Sequence, residues 1–206
     1  MNCPLCKHHG KQFYKDEFLM CDACGGIYCH DRRYPDREQE KARYETHNNN
    51  VNDPRYNKFV APLVSAVLQE FSPQDTGLDF GAGTGPVISK LLKDEDFNIV
   101  QYDPFFHNRP ELLYGKYNYI VCCEVIEHFH SPEKEFRLLR NLLKPKGTIY
   151  CMTHVYSPDI NFADWYYKND PTHVFIYQRK TLEWIKANFE FSAFSINNRL
   201  VKFYTQ

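Results

Sequence analysis

LDFGAGTGPV, residues 78–87, is the stretch from which the fold class of this chain can be predicted. Its first residues are apolar and strand-like, three glycines follow at alternate positions (Gly81, Gly83 and Gly85), and a helical pattern begins soon afterwards. Glycine has no Cβ atom, so the backbone can turn sharply and a ligand can lie against it. The first amides of the following helix then point toward that ligand. The stretch therefore predicts a loop that binds a nucleotide-type cofactor between a strand and a helix.

The spacing of the glycines narrows the class of cofactor. A dinucleotide-binding loop, G-x-G-x-x-G, would place its third glycine at the position that Pro86 occupies. The lysine of the phosphate loop G-x-x-x-x-G-K-[ST] is missing as well. Both observations disfavour a loop that binds a pyrophosphate or a nucleoside triphosphate.

Helix and strand patterns alternate on both sides of the glycine loop. A helical pattern that includes Phe59, Leu63 and Val67 precedes the loop and ends before Ser72-Pro73. Such alternation is typical of βαβ units with parallel strands. The sequence therefore predicts an α/β fold with a doubly wound, mostly parallel sheet and a C-terminal antiparallel hairpin. The predicted strands are 77–80, 98–102, 119–123, 148–152, 189–196 and 200–204, and the later helices are 87–92, 132–143 and 181–188.

Composition and charge limit the class of protein. With 206 residues, the chain has room for one α/β domain and a small appendage. The formal net charge of -1 gives no general attraction for a phosphate backbone, which disfavours nucleic acid as a partner. The N-terminus lacks the apolar core of a signal peptide, and no apolar run reaches the roughly 18 residues of a membrane span. We therefore expect a cytoplasmic location, where cysteines stay reduced.

Three segments differ in composition. Residues 1–30, the N-terminal arm, hold five of the eight cysteines and little else that could form a core. Residues 31–57, the connector, are polar and charged, with a helical pattern near 37–44 and helix breakers at Asn48-Asn49-Asn50 and Asp53-Pro54. Residues 58–206 carry the alternating pattern. We predict a zinc-binding module, a polar connector and a cofactor-binding domain in these three segments.

Cysteine spacing predicts a metal site in the N-terminal arm. Cys3-x-x-Cys6 and Cys21-x-x-Cys24 are two pairs, and each pair can present two thiolates to one tetrahedral Zn²⁺. Four protein ligands would close the site, so we expect its role to be structural rather than catalytic. Cys29 and His30 follow shortly, and either could replace Cys24 as a ligand.

Four motifs resemble, in order, those of class I S-adenosylmethionine-dependent methyltransferases. Asp79 with the glycine loop is similar to the first motif, and Asp103 ends the next strand, where the family has an acidic residue. YNYIVCCEVIEHFHSP (117–132) resembles the fourth-strand motif, and LLKPKGTIYCMTH (142–154) resembles the helix, turn and strand that follow it. The resemblance covers most of the chain after the connector. It implies S-adenosylmethionine as the cofactor.

The resemblance also implies roles for individual residues. Asp79 and the three glycines would hold the methionine end of the cofactor, Asp103 the ribose hydroxyls, and Glu124 would contact the cofactor at the mouth of the sheet. Too few residues follow Asp103 for a crossover helix and a further strand, so the usual third strand is predicted to be shortened or missing. The family draws its adenine contacts from this region. The candidates here are Phe105, Leu112, Leu113 and Tyr114.

An acceptor is expected at the loops that follow the carboxyl ends of the strands. The insert, residues 162–177 (FADWYYKNDPTHVFIY), is dense in aromatic and polar side chains that suit a lid over a small substrate. For a hydroxyl acceptor, His173 or His128 would be the general base, and Glu124 is a further catalytic candidate. The expected acceptor contacts are His154, Trp165, Tyr166 and Tyr177.

Three functions stay open at this point. The favoured one is methyl transfer to an oxygen or carbon atom of a small molecule. The second is methylation of RNA, because some ribosomal RNA guanine methyltransferases place a four-ligand zinc module before this fold. The third is a non-catalytic scaffold that binds the cofactor and docks a partner through the arm. Nothing in the sequence indicates the oligomeric state.

Overall fold

The computed structural model describes residues 1–46 and 50–206, so part of the predicted breaker Asn48-Asn49-Asn50 lies outside the described residues. The strands are β1 (Gly10–Tyr14), β2 (Phe18–Cys21), β3 (Ile27–Cys29), β4 (Thr76–Phe80), β5 (Asn98–Tyr102), β6 (Tyr117–Cys123), β7 (Leu143–Met152), β8 (Val155–Tyr156), β9 (Phe175–Gln178), β10 (Ala193–Asn197) and β11 (Leu200–Tyr204). The α-helices are α1 (Arg37–Glu45), α2 (Pro54–Glu70), α3 (Val87–Asp94), α4 (Pro132–Leu142) and α5 (Arg179–Asn188). Each helix among these residues is too short or too polar to cross a membrane.

The main sheet has six strands in the order β10-β11-β7-β6-β4-β5. Strands β5, β4, β6 and β7 run parallel, whereas β11 is antiparallel to β7 and β10 is antiparallel to β11. This confirms the predicted α/β fold with its mostly parallel sheet and its C-terminal hairpin at one edge. Strands β5 and β11 begin and end at the predicted residues.

Strand β6 is covered by helices on both faces of the sheet. Tyr119 and Val121 pack with α2 and α3, whereas Ile120 and Cys122 pack with α4 and α5. All four side chains are 0% exposed. Because successive side chains of a strand point to opposite faces, a strand that is buried on both sides has a continuous apolar sequence.

The chain between β5 and β6 replaces the third parallel strand of a complete doubly wound sheet. Its regular structure is a short 3-10 helix, Pro110–Tyr114. Strand β5 is therefore the edge of the main sheet within the part of the chain that the structure describes. This confirms that the third-strand region is shortened, because residues 103–116 are too few for a crossover helix and a strand.

The connector contributes α1 and the first turn of α2. Asp36 caps α1, because its carboxylate accepts hydrogen bonds from the amides of Glu38 and Gln39 at 2.9 Å, while the side chain of Gln39 accepts from the amide of Asp36. Helix α2 begins at Pro54, directly after its cap residue Asp53. The predicted breaker Asp53-Pro54 is thus a helix start.

A second sheet, in the order β1-β2-β3-β9-β8, joins the N-terminal arm to the insert. Strand β3 is antiparallel to β9, with Ile27 opposite Ile176 and Tyr28 opposite Phe175. The last residues of the insert are therefore a buried strand, and the prediction that the whole insert forms a lid was wrong in this part. The local pattern could not reveal this, because the strand that pairs with β9 belongs to the arm.

Two strand boundaries differ from the prediction. Strand β10 begins at Ala193 instead of residue 189, because the amide of Phe189 donates to the carbonyl of Ile185 at the end of α5 and Glu190 has a φ of 58°. Strand β7 begins at Leu143, ahead of Thr148. Neither difference changes the order of strands in the sheet.

Candidate active site

A cavity of about 950 Å³ lies at the carboxyl ends of the parallel strands. Ligands of doubly wound sheets bind at this edge, and the volume falls within the roughly 300–1,000 Å³ that is usual for small-molecule sites. The glycine loop and the residues after β5 form one part of its wall. The residues after β6, the insert and α1 form the rest. The lining side chains include Asp79, Asp103, Phe105, Glu124, His128, Tyr166, Asp170, His173 and Arg199, with Arg37 and Tyr44 from α1.

The glycine loop is fixed to the ends of two strands. Gly81 has a φ of 81° and Gly83 a φ of 63°, a region that residues with a Cβ atom rarely adopt. A Cβ atom on Gly81 would lie 2.5 Å from a methyl carbon of Val125, which follows β6. The amide of Gly81 donates to the carbonyl of Tyr102, at the end of β5, at 2.8 Å. This turn therefore requires glycine both for its conformation and for space.

Asp103, predicted to bind the ribose, lies at the end of β5 against the glycine loop. Its carboxylate accepts hydrogen bonds from the amide of Gly83 at 3.0 Å and from the amides of Phe105 and Phe106 at 2.8 and 3.0 Å. The side chain is buried but lines the cavity. A carboxylate has about four lone-pair sites and three are occupied, so Asp103 can accept about one further hydrogen bond from a hydroxyl group of a ligand.

Asp79, predicted to hold the methionine end of the cofactor, is buried between the loop and α3. Its Oδ2 accepts a hydrogen bond from the hydroxyl of Ser89 at 2.7 Å. Burial raises the pKa of Asp79 to about 6, and the hydrogen bonds from Ser89 offset only part of this effect. Asp79 thus ties the loop to the following helix, while part of its side chain borders the cavity.

Glu124 follows β6 and has an unsatisfied oxygen. Its backbone is left-handed, with a φ of 52°, and its Oε2 accepts a hydrogen bond from Nη2 of Arg199 at 2.5 Å. The other oxygen, Oε1, is buried and has no hydrogen-bond partner among the described residues. Burial and the charge of Glu127 raise the pKa of Glu124 to about 8, although Arg199 opposes this. Glu124 therefore presents a carboxyl oxygen at the cavity wall that a ligand could pair with.

Glu127 lies in the 3-10 helix Ile126–His128 and is fully buried. The hydroxyl of Tyr167 donates to its Oε1, and the hydroxyl of Thr153 donates to its Oε2 at 3.1 Å. Burial raises the pKa of Glu127 to about 7 despite these hydrogen bonds. The carboxylate is thus held in one position between the end of β7 and the insert.

His128 and His173 meet at the cavity, with ring centroids 4.8 Å apart. Nδ1 of His128 lies 2.9 Å from the carbonyl oxygen of Thr172, and Nδ1 of His173 lies 2.7 Å from that of Tyr167. A carbonyl oxygen only accepts hydrogen bonds, so each Nδ1 carries a proton, and a neutral ring then has its lone pair on Nε2. Burial, with a further contribution from His128, lowers the pKa of His173 to about 4, so His173 is neutral near pH 7.

Of the four side chains expected to contact the acceptor, the cavity wall in the described part of the chain includes one, Tyr166. The ring of Tyr166 is exposed, and its hydroxyl lies 2.7 Å from Nε2 of His154. His154 itself is not part of the cavity wall in the described part of the chain. Trp165 packs instead among the aromatic side chains beside the second sheet. Tyr177 is fully buried in β9, where its hydroxyl donates to the carbonyl of Ile126 at 2.9 Å. We therefore assign neither Trp165 nor Tyr177 to the acceptor, because both rings belong to the core.

Helix α1 forms a wall of the cavity that the sequence analysis missed. The ring of Tyr44 lies 5.6 Å from that of Phe105 and 5.3 Å from that of His128. The guanidinium of Arg37 stacks over Phe105 at 4.6 Å and donates to the carbonyl of Pro104 at 2.8 Å. The sequence carries no signal for these contacts beyond a polar helical pattern, which is usual for a solvent-facing helix.

The candidates for adenine contacts are separated in the structure. Phe105 lines the cavity next to Phe106. Leu112 and Leu113 pack against the core below the sheet edge, and Tyr114 is 88% exposed on the surface. Phe105 is therefore the candidate that the geometry favours.

The four cysteines of the arm form a separate cluster, and their Sγ atoms all lie within 4.8 Å of one another. The sulfur atoms of Cys3 and Cys24 are 3.6 Å apart, and those of Cys6 and Cys21 are 3.3 Å apart. The amide of Gly26 points at the sulfur of Cys24 at 3.4 Å. This arrangement has the size and the donor set of a site for one tetrahedral metal ion.

The two alternative ligands of the arm lie outside this cluster. Cys29 is buried in β3 and packs with the aromatic side chains beside the second sheet. His30 precedes a 3-10 helix, and within residues 1–46 and 50–206 it does not join the four sulfur atoms. The geometry therefore favours Cys24 as the fourth candidate ligand.

Comparison with known proteins identifies a family. Residues 53–195 match a family model described as a methyltransferase domain, which covers more than half of the chain. The matched region includes the glycine loop, Asp103, Glu124 and both histidines of the cavity. No curated protein matches the chain.

Solved structures share the fold. A structure from Nostoc punctiforme has a TM-score of 0.56 and 11% identity over 74% of this chain and 57% of that chain. An O-methyltransferase family protein from Burkholderia thailandensis has a TM-score of 0.56 and 12% identity over 84% of this chain and 64% of that chain. A SAM-dependent methyltransferase from Archaeoglobus fulgidus has a TM-score of 0.54 and 18% identity over 68% of this chain and 71% of that chain. The chain thus spans less than two thirds of the length of the first two proteins.

Proposed function

Because the chain belongs to the methyltransferase-domain family, we propose that it is an S-adenosylmethionine-dependent methyltransferase that acts on a small molecule, with a hydroxyl oxygen as the favoured acceptor atom. In this proposal the glycine loop, Asp103 and Glu124 hold the cofactor. His128 and His173 act on the acceptor.

One observation carries the proposal: a single cavity of about 950 Å³ has both the glycine loop and the histidine pair in its wall. The glycine loop is suited to a nucleoside cofactor. The histidine pair brings two imidazole rings to the same cavity. Helix α1 and Tyr166 contribute to the wall of this cavity, whose volume is in the range usual for small-molecule sites. The net charge of -1 likewise offers no general attraction for RNA.

The side chains fit the chemistry of the cofactor. Asp103 keeps about one lone-pair site for a ribose hydroxyl group, and Oε1 of Glu124, which has no partner among the described residues, can pair with an N–H group. When bound, S-adenosylmethionine supplies a methyl group on a positively charged sulfur atom. The task of the chain is then to aim the acceptor at that methyl group and to exclude water.

A hydroxyl acceptor must lose its proton as it attacks. His128 and His173 are the groups we propose for this activation, because an imidazole whose Nδ1 donates to a carbonyl can accept a proton at Nε2 when the ring is neutral. His173 has a lowered pKa and is therefore unprotonated at neutral pH. A neutral imidazole can accept the proton directly or act as a ligand of a bound cation.

For the N-terminal arm we propose a structural Zn²⁺ bound by Cys3, Cys6, Cys21 and Cys24. Zn–S bonds of about 2.3 Å in a tetrahedron set sulfur atoms about 3.8 Å apart. The observed separations of 3.3 and 3.6 Å are close to this value. Four protein ligands leave no open position, so the ion would stabilise the arm and take no part in methyl transfer. The division into a module at 1–30, a connector at 31–57 and a domain at 58–206 is part of this proposal.

Binding and turnover are tested separately. Calorimetry with S-adenosylhomocysteine is expected to show one site per chain, and methyl transfer from radiolabelled S-adenosylmethionine is then measured with phenols, aliphatic alcohols, carbon acids and short RNAs. Failure to bind S-adenosylhomocysteine would contradict the cofactor site. Preferential transfer to RNA would contradict the proposed acceptor class, and binding without turnover on any acceptor would favour a scaffold.

A further inference from the structure

Glu127, His128 and His173 form a cluster at the acceptor end of the cavity. One carboxylate oxygen and one ring nitrogen from each histidine all lie within 4.8 Å of one another. We propose that these three side chains bind a divalent metal cation, at a site separate from the cysteine cluster. The catalytic role given below rests on the proposed function, whereas the binding of the cation does not.

The spacing of the three ligand atoms suits a cation. Nitrogen and oxygen ligands lie about 2.0–2.2 Å from a Zn²⁺-sized ion, so neighbouring ligand atoms are about 3–4 Å apart. The three ligand atoms lie within 4.8 Å of one another, so small rotations of the side chains would let all three contact one ion. Glu127 needs no ordering on binding, because it is fully buried and already held by Tyr167 and Thr153.

The histidines are oriented as metal ligands are. A metal-binding histidine usually donates its other ring nitrogen to a carbonyl or a carboxylate, which fixes the tautomer and the plane of the ring. Here Thr172 accepts from Nδ1 of His128, and Tyr167 accepts from Nδ1 of His173. Tyr167 also donates its hydroxyl to Glu127. One residue therefore positions two of the three ligands, which a chance contact of polar groups would not explain.

The local charges favour a cation. Glu124 and Glu127 are acidic side chains of neighbouring turns, Glu127 is fully buried, and Arg199 pairs with Glu124. Oε1 of Glu124 has no partner in the described part of the chain. Burying carboxylates without full compensation is costly, and a divalent cation at the histidine pair would supply the charge that a single arginine cannot.

The ligand set indicates the class of cation. Two imidazoles and a carboxylate, without a thiolate, suit divalent ions such as Mn²⁺, Co²⁺ and Zn²⁺. Three protein ligands leave coordination positions open, as in catalytic metal sites. Because His128 and His173 line the cavity, an acceptor oxygen in the cavity can reach those positions.

A cation here would activate the acceptor hydroxyl. Coordination lowers the pKa of a bound O–H group, so its proton passes to solvent water before the attack. The oxygen then forms a bond to the methyl carbon, the carbon–sulfur bond breaks, and its electron pair stays on sulfur in the neutral thioether product. No oxidant or reductant takes part. In this scheme the imidazoles are ligands and not proton acceptors.

Mn²⁺ is the probe for this site, because the thiolates of the arm select softer ions. Electron paramagnetic resonance titration of the full chain, with the arm metal retained, is expected to show one bound Mn²⁺ per chain without cofactor or acceptor. Glu127→Gln and His173→Asn are each expected to weaken Mn²⁺ binding by about tenfold or more. His154→Asn, which alters a nearby histidine outside the cluster, is the matched control and keeps the wild-type affinity for Mn²⁺.

Circular dichroism and thermal melting establish that each variant is folded. If Glu127→Gln unfolds, His173→Asn decides the question, because its side chain is less deeply buried. A lack of Mn²⁺ binding by the wild type, or equal binding by the wild type and His173→Asn, overturns the proposal. The Mn²⁺ titration contains no S-adenosylmethionine, and the calorimetry with S-adenosylhomocysteine contains no added metal. A failure of the cation site can therefore be distinguished from a failure of the cofactor site. Unchanged turnover after removal of Mn²⁺ by a chelator would overturn the catalytic role and restore direct proton transfer to a histidine.

Discussion

The guanidinium of Arg43 lies 2.6 Å from the carboxylate of Asp170, and this ion pair joins α1 to the insert. Asp170 also accepts hydrogen bonds from the amide and the hydroxyl of Thr172, at 3.0 and 2.6 Å. Burial opposes its ionisation, but the bonds from Thr172 and Arg43 outweigh burial and hold the pKa of Asp170 well below its ordinary value. Since Thr172 presents its carbonyl to His128, the ion pair ties the connector to the residues that orient the histidine pair.

Arg43→Ala is expected to lower kcat/KM by roughly threefold to tenfold and the free energy of unfolding by about 1 kcal/mol, because α1 loses its anchor across the cavity. Steady-state kinetics and urea unfolding measure the two effects. Lys41→Ala is the control, since Lys41 lies on the same helix and its partner Glu45 is exposed. If both variants behave alike, the contact between α1 and Asp170 has no bearing on activity.

Asp103→Asn is expected to weaken the binding of S-adenosylhomocysteine by about tenfold to a hundredfold, because hydrogen bonds to a charged group contribute about 1.5–3 kcal/mol. Asparagine keeps one oxygen, which can accept from the amide of Gly83 or from those of Phe105 and Phe106 but not from both sides, so thermal melting must establish that the variant is folded. Calorimetry gives the affinity. Asp159→Asn, on an exposed loop, serves as the control and should bind like the wild type. Equal affinity of Asp103→Asn and the wild type would remove Asp103 from the cofactor site.

Gly81→Ala is expected to lower the free energy of unfolding by about 1–3 kcal/mol and to weaken cofactor binding. The added Cβ atom meets Val125 at 2.5 Å, and the φ of 81° disfavours alanine even without that contact. Denaturant unfolding with and without S-adenosylhomocysteine measures both effects. Gly85→Ala is a matched comparison on the same loop, since Gly85 is not among the positive-φ glycines. A stable Gly81→Ala variant would show that the turn tolerates a side chain.

Stability should depend on pH through Asp79. Its pKa rises from an ordinary 3.8 to about 6 in the folded chain. Between these values the folded state binds more protons than the unfolded state, so the free energy of unfolding falls as pH rises, by up to about 3 kcal/mol in total. Asp79→Asn removes this contribution and still accepts from Ser89. The variant should therefore gain stability relative to the wild type between about pH 4 and about pH 7 in urea unfolding, and a constant difference would contradict the buried, titrating carboxyl.

Metal analysis tests the cysteine cluster. The purified chain is expected to hold about one Zn²⁺ per molecule at the closed site, and Cys24→Ser should lose the ion and melt at a lower temperature. Cys29→Ala is the control, because Cys29 packs in the core beside the second sheet and should leave the metal content unchanged. Metal lost from Cys29→Ala but kept by Cys24→Ser would reverse the ligand assignment.

The elements with strong local signals could be predicted from the sequence. The glycine loop, the acidic residue after β5 and the paired cysteines each depend on neighbours in the chain, and each lies where its pattern indicates. The fold class can be predicted from the alternation of helix and strand patterns, and the loss of the third strand from the small number of residues between β5 and β6. These features are local, so chain spacing is enough to find them.

The features that the sequence analysis missed depend on contacts between distant segments. Tyr44 and Arg37 belong to a polar helix, and only its packing on Phe105 brings them to the cavity. Tyr177 has the composition of a binding residue, but pairing of β9 with the arm buries it. The meeting of His128 with His173 likewise requires the insert to fold back on the end of β6. None of these contacts produces a hydrophobic pattern or a residue spacing that could be recognised in the sequence.

The pairing of β3 with β9 bears on how this chain can be shortened. An extended segment with one side uncovered offers a row of amide and carbonyl groups to any other extended chain. Truncation before α1 would uncover Phe175–Gln178 in this way and expose apolar side chains that are now buried. We therefore expect a version of the chain that begins at α1 to self-associate, because it lacks the strand that pairs with β9.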